Sequence, residues 1–277
     1  MQVLPSLPAS LNAVVTARVE VSPGLIIMRV APAGWELPPF APGQFAVLGL
    51  PAAAPRHPIA DAEGDPAPAP GAMLRRPYSI ASSSAERKYL EFYLTLVRSG
   101  ALTPRLFALE AGNRLWLGPK VSGLFTLDHV PEGADLVLAA TGTGLAPYMS
   151  QLRSALFHAP DRRVAILHGA RHSWDLGYRG ELETMQRIRP HLAYVPVVSR
   201  PDEEGEAWGG EVGYVQDLWT RGELQRRWGG APDPARCHVL LCGNPGMIEV
   251  MTRLLTDAGF RVHSRHHPGQ IHVETYW

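Results

Sequence analysis

From residue 131 onward the chain repeats one pattern, a short apolar run followed by a segment with helical spacing. The runs Asp135–Ala140, Val164–Gly169, Ala193–Ser199 and His238–Cys242 precede helix-like segments at Tyr148–Phe157, Glu181–Arg189, Val215–Gln225 and Met247–Ala258. Strand and helix alternating at this spacing predict a doubly wound parallel sheet with helices on both faces. Residues 10–125 read differently. Val14–Glu20, Leu25–Val30, Gln44–Leu50, Tyr89–Val97 and Asn113–Leu117 are short strand-like segments separated by Pro and Gly turns. They predict a small antiparallel β-barrel. Ala101–Ala111 is the exception, with Leu102, Leu106 and Leu109 on the face of a short helix starting near Thr103-Pro104. The expected domains are therefore 1–130, a β-barrel, and 131–277, an α/β domain, with the change of pattern near Asp128–Gly133.

Residues 51–74 contain six prolines and eight alanines and no periodic apolar face. They read as a long, mobile loop inserted before Arg75. The 26 basic and 26 acidic residues balance, so no overall charge draws the chain to nucleic acid or an anionic membrane. No apolar run is long enough to span a membrane, and Met1–Pro8 lacks the pattern of a signal peptide. Cys237 and Cys242 form no disulfide framework or zinc quartet. A reduced, cytoplasmic, monomeric protein is the expectation.

Three stretches carry chemistry. Arg75-Arg76-Pro77-Tyr78-Ser79 offers a cation for a pyrophosphate, a ring for stacking and a hydroxyl, although a surface turn before a strand would read the same. Gly142-x-Gly144-x-x-Pro147 lies where a strand meets a helix, suited to close approach of a phosphate or to a tight joint alone. Cys242-Gly243-Asn244-Pro245-Gly246-Met247 follows the last predicted strand of the parallel sheet, at the edge where ligands of such sheets bind. His263, His266, His267 and His272 cluster without a carboxylate or thiol set, so no metal site is expected; with Arg261 and Arg265 they suggest a positive face for an acidic protein.

Over residues 12–277 the chain resembles the ferredoxin/flavodoxin–NADP(H) reductase family, in its bacterial form. The matching segments are Arg76-Pro77-Tyr78-Ser79, Glu91-Phe92-Tyr93-Leu94, Gly100-Ala101-Leu102-Thr103-Pro104, Gly118-Pro119-Lys120 with Gly123-Leu124-Phe125, the two glycine motifs, and the ending His272–Trp277. The resemblance implies an FAD-binding barrel and an NADP-binding domain that together exchange electrons between NADPH and a ferredoxin or flavodoxin. It implies FAD contacts from Arg76, Pro77, Tyr78 and Ser79, from Tyr93, Leu94, Thr95 and Leu96, and from Ala101, Leu102 and Thr103. Thr143, Tyr276 and Trp277 complete that set. For NADP it implies Gly142 and Gly144, Gly243, Asn244, Pro245 and Met247, with Arg171, Ser199 and Arg200 at the adenosine 2′-phosphate. Ser79, Cys242 and Glu274 are the implied catalytic residues around flavin N5. Glu211 stands where relatives carry a cation, which leaves NADH use open. A flavin reductase or oxygenase-component reductase is the alternative, and a non-catalytic flavin-binding regulatory subunit the second.

Overall fold

The computed structural model describes residues 11–69, 71–159 and 162–275, which fall into two compact units, 1–123 and 124–277. The first holds six antiparallel strands: β1 (Ala13–Ser22), β2 (Leu25–Pro32), β3 (Phe45–Pro51), β4 (Met73–Ser79), β5 (Leu90–Thr95) and β6 (Arg114–Ser122). Their order is β4-β3-β6-β1-β2-β5, and an antiparallel bridge from Ile80 to Phe92 brings the two ends together into a barrel. Alternate residues point inward, among them Val15, Met28, Leu48, Phe92 and Leu115, and the core closes on Leu106 and Phe107. Five of these strands follow the sequence pattern. β4 does not, because Arg75, Arg76 and Pro77 break any apolar alternation. It forms because it pairs in full register with β3, from Phe45–Ser79 to Pro51–Met73. Among the described strands only β3 pairs with it in a ladder, and such a one-sided strand is where a proline without an N–H can sit.

The helix expected over 101–111 is only α1 (Thr103–Phe107), with Pro104 in its first turn. Gly112, at φ +91°, then turns the chain into β6. The inserted loop is not left to solvent along its whole length: residues 52–63 are fastened to segment 97–105. The reason is Arg105, a buried cation whose N–H groups must find acceptors.

In the second unit β7 (Asp135–Thr141), β8 (Val164–Ala170), β9 (Leu192–Val198), β10 (Glu211–Val212), β11 (Cys237–Cys242) and β12 (Ile271–Glu274) make a parallel sheet. The order is β10-β9-β8-β7-β11-β12. From β7 the chain winds outward through β8, β9 and β10, then returns to place β11 on β7's other side. The order thus reverses between β7 and β11, the crevice where such sheets take ligands. The helices are α2 (Ala146–Ser154), α3 (Arg179–Ile188), α4 (Val215–Thr220), α5 (Glu223–Trp228) and α6 (Pro245–Asp257). The single helix expected over 215–225 is split into α4 and α5 because Gly222 takes φ +69°. Val137, Ala139, Ala165, Leu167, Val195 and Val239 form one buried face with residues of α4, α5 and α6. The intervening Leu136, Leu138, Ile166 and Leu240 are equally buried, and Gln186 of α3 accepts from Tyr194 N at 2.7 Å. Residues 124–130 belong with this unit: Gln151 of α2 donates to the Phe125 carbonyl at 3.0 Å. No helix of the described residues is long and apolar enough to cross a membrane.

Candidate functional site

In the first unit the candidate residues gather on β4 and β5 and the loop after β5. Arg76 and Tyr78 are two residues apart on β4 and so share a face, while Arg75 turns the other way and stacks over the Trp116 ring at 4.2 Å. Arg76 is exposed; its Nη1 donates to the Arg75 carbonyl at 2.8 Å, and no carboxylate of the described residues pairs with it. Tyr78 is half-buried against the barrel core. Burial pushes its phenol up, with Arg76 pulling the other way, so the ring carries a neutral hydroxyl at physiological pH. Ser79 ends the strand, buried and opposite Phe45. An acid-free guanidinium beside a half-buried ring is a donor set that fits a diphosphate joined to a flat heterocycle.

Tyr93, Leu94 and Thr95 are on β5, followed by Leu96. Leu94 and Leu96 pack into or against the barrel core, so only their backbone is offered outward. Tyr93 and Thr95 alternate to the opposite face. Thr103 closes the next loop by accepting from Val97 N (3.0 Å) and donating to Val97 O (3.1 Å). Ala101 and Leu102 lie inside that closure, Leu102 in the core.

In the second unit the two glycine loops lie side by side at the carboxyl edge, flanking the crevice. Gly142 has φ +53° and open space where a Cβ would be. Gly144 is different: a Cβ there would lie 2.3 Å from the Cys242 carbonyl oxygen. Its lack of a side chain serves the packing of one loop on the other, before any ligand is considered. Gly243, at φ +136°, has Thr141 Oγ1 at 2.2 Å from the same hypothetical atom, and Asn244 N donates to that Oγ1 at 2.7 Å. Asn244 caps α6, accepting from Gly246 N (2.8 Å) and Met247 N (3.4 Å), with Pro245 in the first turn. Thr143 lies in the turn between β7 and α2. Cys242 is fully buried and stands in register with Ala140 on one side and Glu274 on the other. Two of the three catalytic candidates are therefore strand neighbours.

Tyr148, which sequence reasoning passed over as a helix residue, is buried beneath this edge. Its hydroxyl lies 2.7 Å from Leu240 O and 3.1 Å from Ala139 O, joining β11 to β7. Burial, and then the proximity of Cys242 and Glu274, raise its pKa well above the usual value. An aromatic right after the motif's Pro147 was the available signal.

Arg171, Ser199 and Arg200 are brought together at the ends of β8 and β9. Ser199 N donates to Ala170 O (3.1 Å) and Arg200 N to Arg171 O (2.9 Å), which extends the ladder beyond both strands. Arg200 pairs with Glu203 at 3.3 Å, both half-exposed. Glu203 also holds His172 Nε2 at 2.8 Å, and that bond, then the one from Asp175, raises the His172 pKa. Glu211 is on β10 in register with Val197, two residues before Ser199 on the neighbouring strand. It therefore lies back from the edge on which the cations stand.

The histidines do not converge on a metal. The rings of His129 and His263 (4.9 Å), His263 and His272 (4.7 Å) and His272 and His238 (5.3 Å) stack in a column, and His238 Nδ1 is 2.9 Å from His272 Nε2. Burial, then the neighbouring imidazoles, push His272 down to about 3. No group of three potential ligands among the described residues could hold a metal ion. Cys237 and Cys242 lie at opposite ends of β11 and are not joined in a disulfide. Tyr276 and Trp277 lie outside the described residues.

Residues 138–253 match the family model of the oxidoreductase NAD-binding domain. Flavodoxin/ferredoxin–NADP reductase of Escherichia coli K12 is 33% identical over 241 residues, covering 86% of this chain and 88% of that protein. Ferredoxin–NADP reductase B of Sorangium cellulosum is 36% identical over 210 residues, 76% of this chain and 81% of its own. Among solved structures, a ferredoxin NADP+ reductase from Neisseria gonorrhoeae with bound FAD and NADP has a TM-score of 0.78 at 23% identity, covering 96% of this chain and 98% of its own.

Proposed function

Because this chain belongs to the flavodoxin/ferredoxin–NADP reductase family, we propose that it is an FAD-dependent oxidoreductase exchanging electrons between NADPH and a ferredoxin or flavodoxin. The observation that carries the reading is the β4 face, where an acid-free Arg76 stands next to half-buried Tyr78 and leads to Ser79. The barrel unit holds FAD in this reading, and the parallel-sheet unit takes NADP(H).

The chemistry that a bound FAD supplies is the exchange of a hydride, an electron pair, for electrons passed on singly. The chain's own residues bind and orient. Arg76 holds the diphosphate by charge-assisted hydrogen bonds, with Pro77 fixing the strand between it and Ser79. Tyr78 gives the ring a platform, and its neutral phenol adds no charge there. The Ser79 hydroxyl, at the buried end of β4, would hydrogen-bond the edge of the ring. Tyr93, Thr95 and the backbone of Leu94, Leu96 and Ala101–Thr103 would border the ring. The crevice loops Gly142–Gly144 and Gly243–Met247 receive the dinucleotide, Cys242 and Glu274 its nicotinamide end, and Arg171, Ser199 and Arg200 its 2′-phosphate. With no cation at Glu211, NADH is a second, weaker substrate. The reading includes a monomeric, cytoplasmic enzyme.

The test is direct. The purified protein should carry a yellow flavin, oxidise NADPH, and reduce cytochrome c only when ferredoxin or flavodoxin is added. Ser79→Ala and Cys242→Ala should each slow stopped-flow hydride transfer by about 10²-fold. Unchanged rates in both variants, or cytochrome c reduction without a carrier protein, would count against the reading.

A further inference from the structure

Segment 97–105 is held from one side by the loop inserted before β4. Arg105 of α1 is 3% exposed, yet all five of its N–H donors are used. Nη1 reaches Ala101 O (2.6 Å) and Glu63 Oε1 (2.8 Å); Nη2 reaches Glu63 Oε2 (2.7 Å) and Ala52 O; Nε reaches Ala52 O (3.0 Å). The pairing with Glu63 is therefore bidentate, and it comes from the insertion. The Arg105 hydrogen bond, ahead of its charge, holds the Glu63 carboxyl below the usual carboxylate range.

Arg56, also in the insertion, repeats the arrangement on the other end of the loop. Its Nη1 donates to Gly100 O (2.9 Å) and lies 3.3 Å from Glu63, and its Nη2 donates to Asp61 O (2.8 Å) and Arg98 O (3.3 Å). The insertion's backbone adds His57 N to Pro104 O (2.9 Å) and Asp61 N to Arg98 O (3.1 Å). The carbonyls of Arg98, Gly100, Ala101 and Pro104 are thus all bound to the insertion or to a cation that the insertion fixes. A loop of this composition has no periodicity with which to fold on its own. It takes its shape from these two guanidinium groups.

We propose that the insertion is a brace for the cofactor site: Arg56 and Glu63, acting through Arg105, set the backbone path of Ala101–Thr103. The proposal rests on the reading that this backbone borders the FAD. Arg56, Glu63 and Arg105 are positioning residues and need not touch the cofactor. Glu63→Gln keeps the shape and one acceptor but withdraws the charge that completes the Arg105 fork. Arg56→Gln spares that buried pair and releases the Gly100 and Arg98 carbonyls.

The experiment titrates FAD into apoprotein, following flavin fluorescence, and melts each apoprotein in parallel. Glu63→Gln should weaken FAD binding about tenfold or more, and Arg56→Gln about threefold to tenfold, on the scale of one charged hydrogen bond lost. The Arg56→Gln apoprotein should melt within a few degrees of wild type, which separates positioning from general unfolding. FAD affinity within twofold of wild type in both variants overturns the brace while leaving the functional reading intact. A wild-type apoprotein that binds no FAD overturns both. Affinity lost only in proportion to a lowered apoprotein melting point also overturns it, because the insertion then serves stability alone.

Discussion

Gly144→Ala tests why the first glycine loop has its composition. The added Cβ would lie 2.3 Å from the Cys242 carbonyl oxygen, 2.6 Å from its carbon and 2.9 Å from Gly243 Cα. All three are backbone atoms, and no side chain can swing away to make room. Against the ~3.5–4.0 Å at which carbon atoms rest, the two loops must part by roughly 1 Å. Overpacking of this kind costs about 1–3 kcal/mol. The same movement strains the Asn244 N to Thr141 Oγ1 bond, 2.7 Å long, worth about 1 kcal/mol. A loss of about 2–4 kcal/mol corresponds to a fall in melting temperature of roughly 4–16 °C for a unit of this size. Gly142→Ala is the control. It meets nothing within 4 Å and bears only the cost of φ +53°, about 1–2 kcal/mol. Thermal unfolding of both purified variants, with NADPH affinity measured alongside, decides between them. Gly144→Ala should lose more stability and more affinity. A Gly144→Ala protein that melts with wild type, or no lower than Gly142→Ala, refutes the reasoning.

His168 is fully buried, with Nδ1 3.2 Å from the Tyr194 hydroxyl and Nε2 lacking a hydrogen-bond partner among the described residues; burial pushes it down to about 4. The unfolded chain takes its proton near pH 6.5 and the folded chain only near 4, so this group withdraws stability as pH falls through that window, about 3 kcal/mol in all. Urea unfolding of His168→Leu at pH 7 and pH 4.5 should show a smaller acid loss than wild type; an equal loss would contradict the assignment. Glu203→Gln releases half-exposed Arg200 and should lower the KM for NADPH about threefold with NADH unchanged, an effect that shrinks in high salt. Equal shifts for both cofactors would place Arg200 away from the 2′-phosphate. Glu211→Gln should change the NADPH-to-NADH ratio by no more than about twofold, since β10 sets it back from Ser199; a tenfold change would show that its carboxylate reaches the phosphate.

Periodicity made much of the fold legible. Alternation along β1, β2 and β3 and the strand–helix repeat after residue 131 are local signals, and the structure follows them with ends displaced by a few residues. The helix breaks were harder: Gly222 carries no mark that separates it from a glycine tolerated inside a helix. β4 was hidden because an edge strand bearing Arg75, Arg76 and Pro77 has no apolar alternation, and only its register with β3 makes it a strand. The candidate residues were named from short motifs, and their grouping on β4 or along the β7 and β11 ends comes from strand pairing. The motifs were silent on Tyr148, whose partners are main-chain carbonyls.

The sequence by itself determined two kinds of layer, a barrel and a doubly wound sheet, and the residue types a dinucleotide and a flavin would need. Tertiary structure alone decided that Gly144 is a glycine for the sake of Cys242, that Cys242 and Glu274 are strand neighbours, and that a Pro/Ala-rich loop is drawn onto Arg105. The physical reason is separation along the chain. Periodicity reports what a residue does within a few positions of itself. Glu63 and Arg105 are 42 residues apart, Thr141 and Asn244 are 103, and such partners meet only when the whole chain has folded.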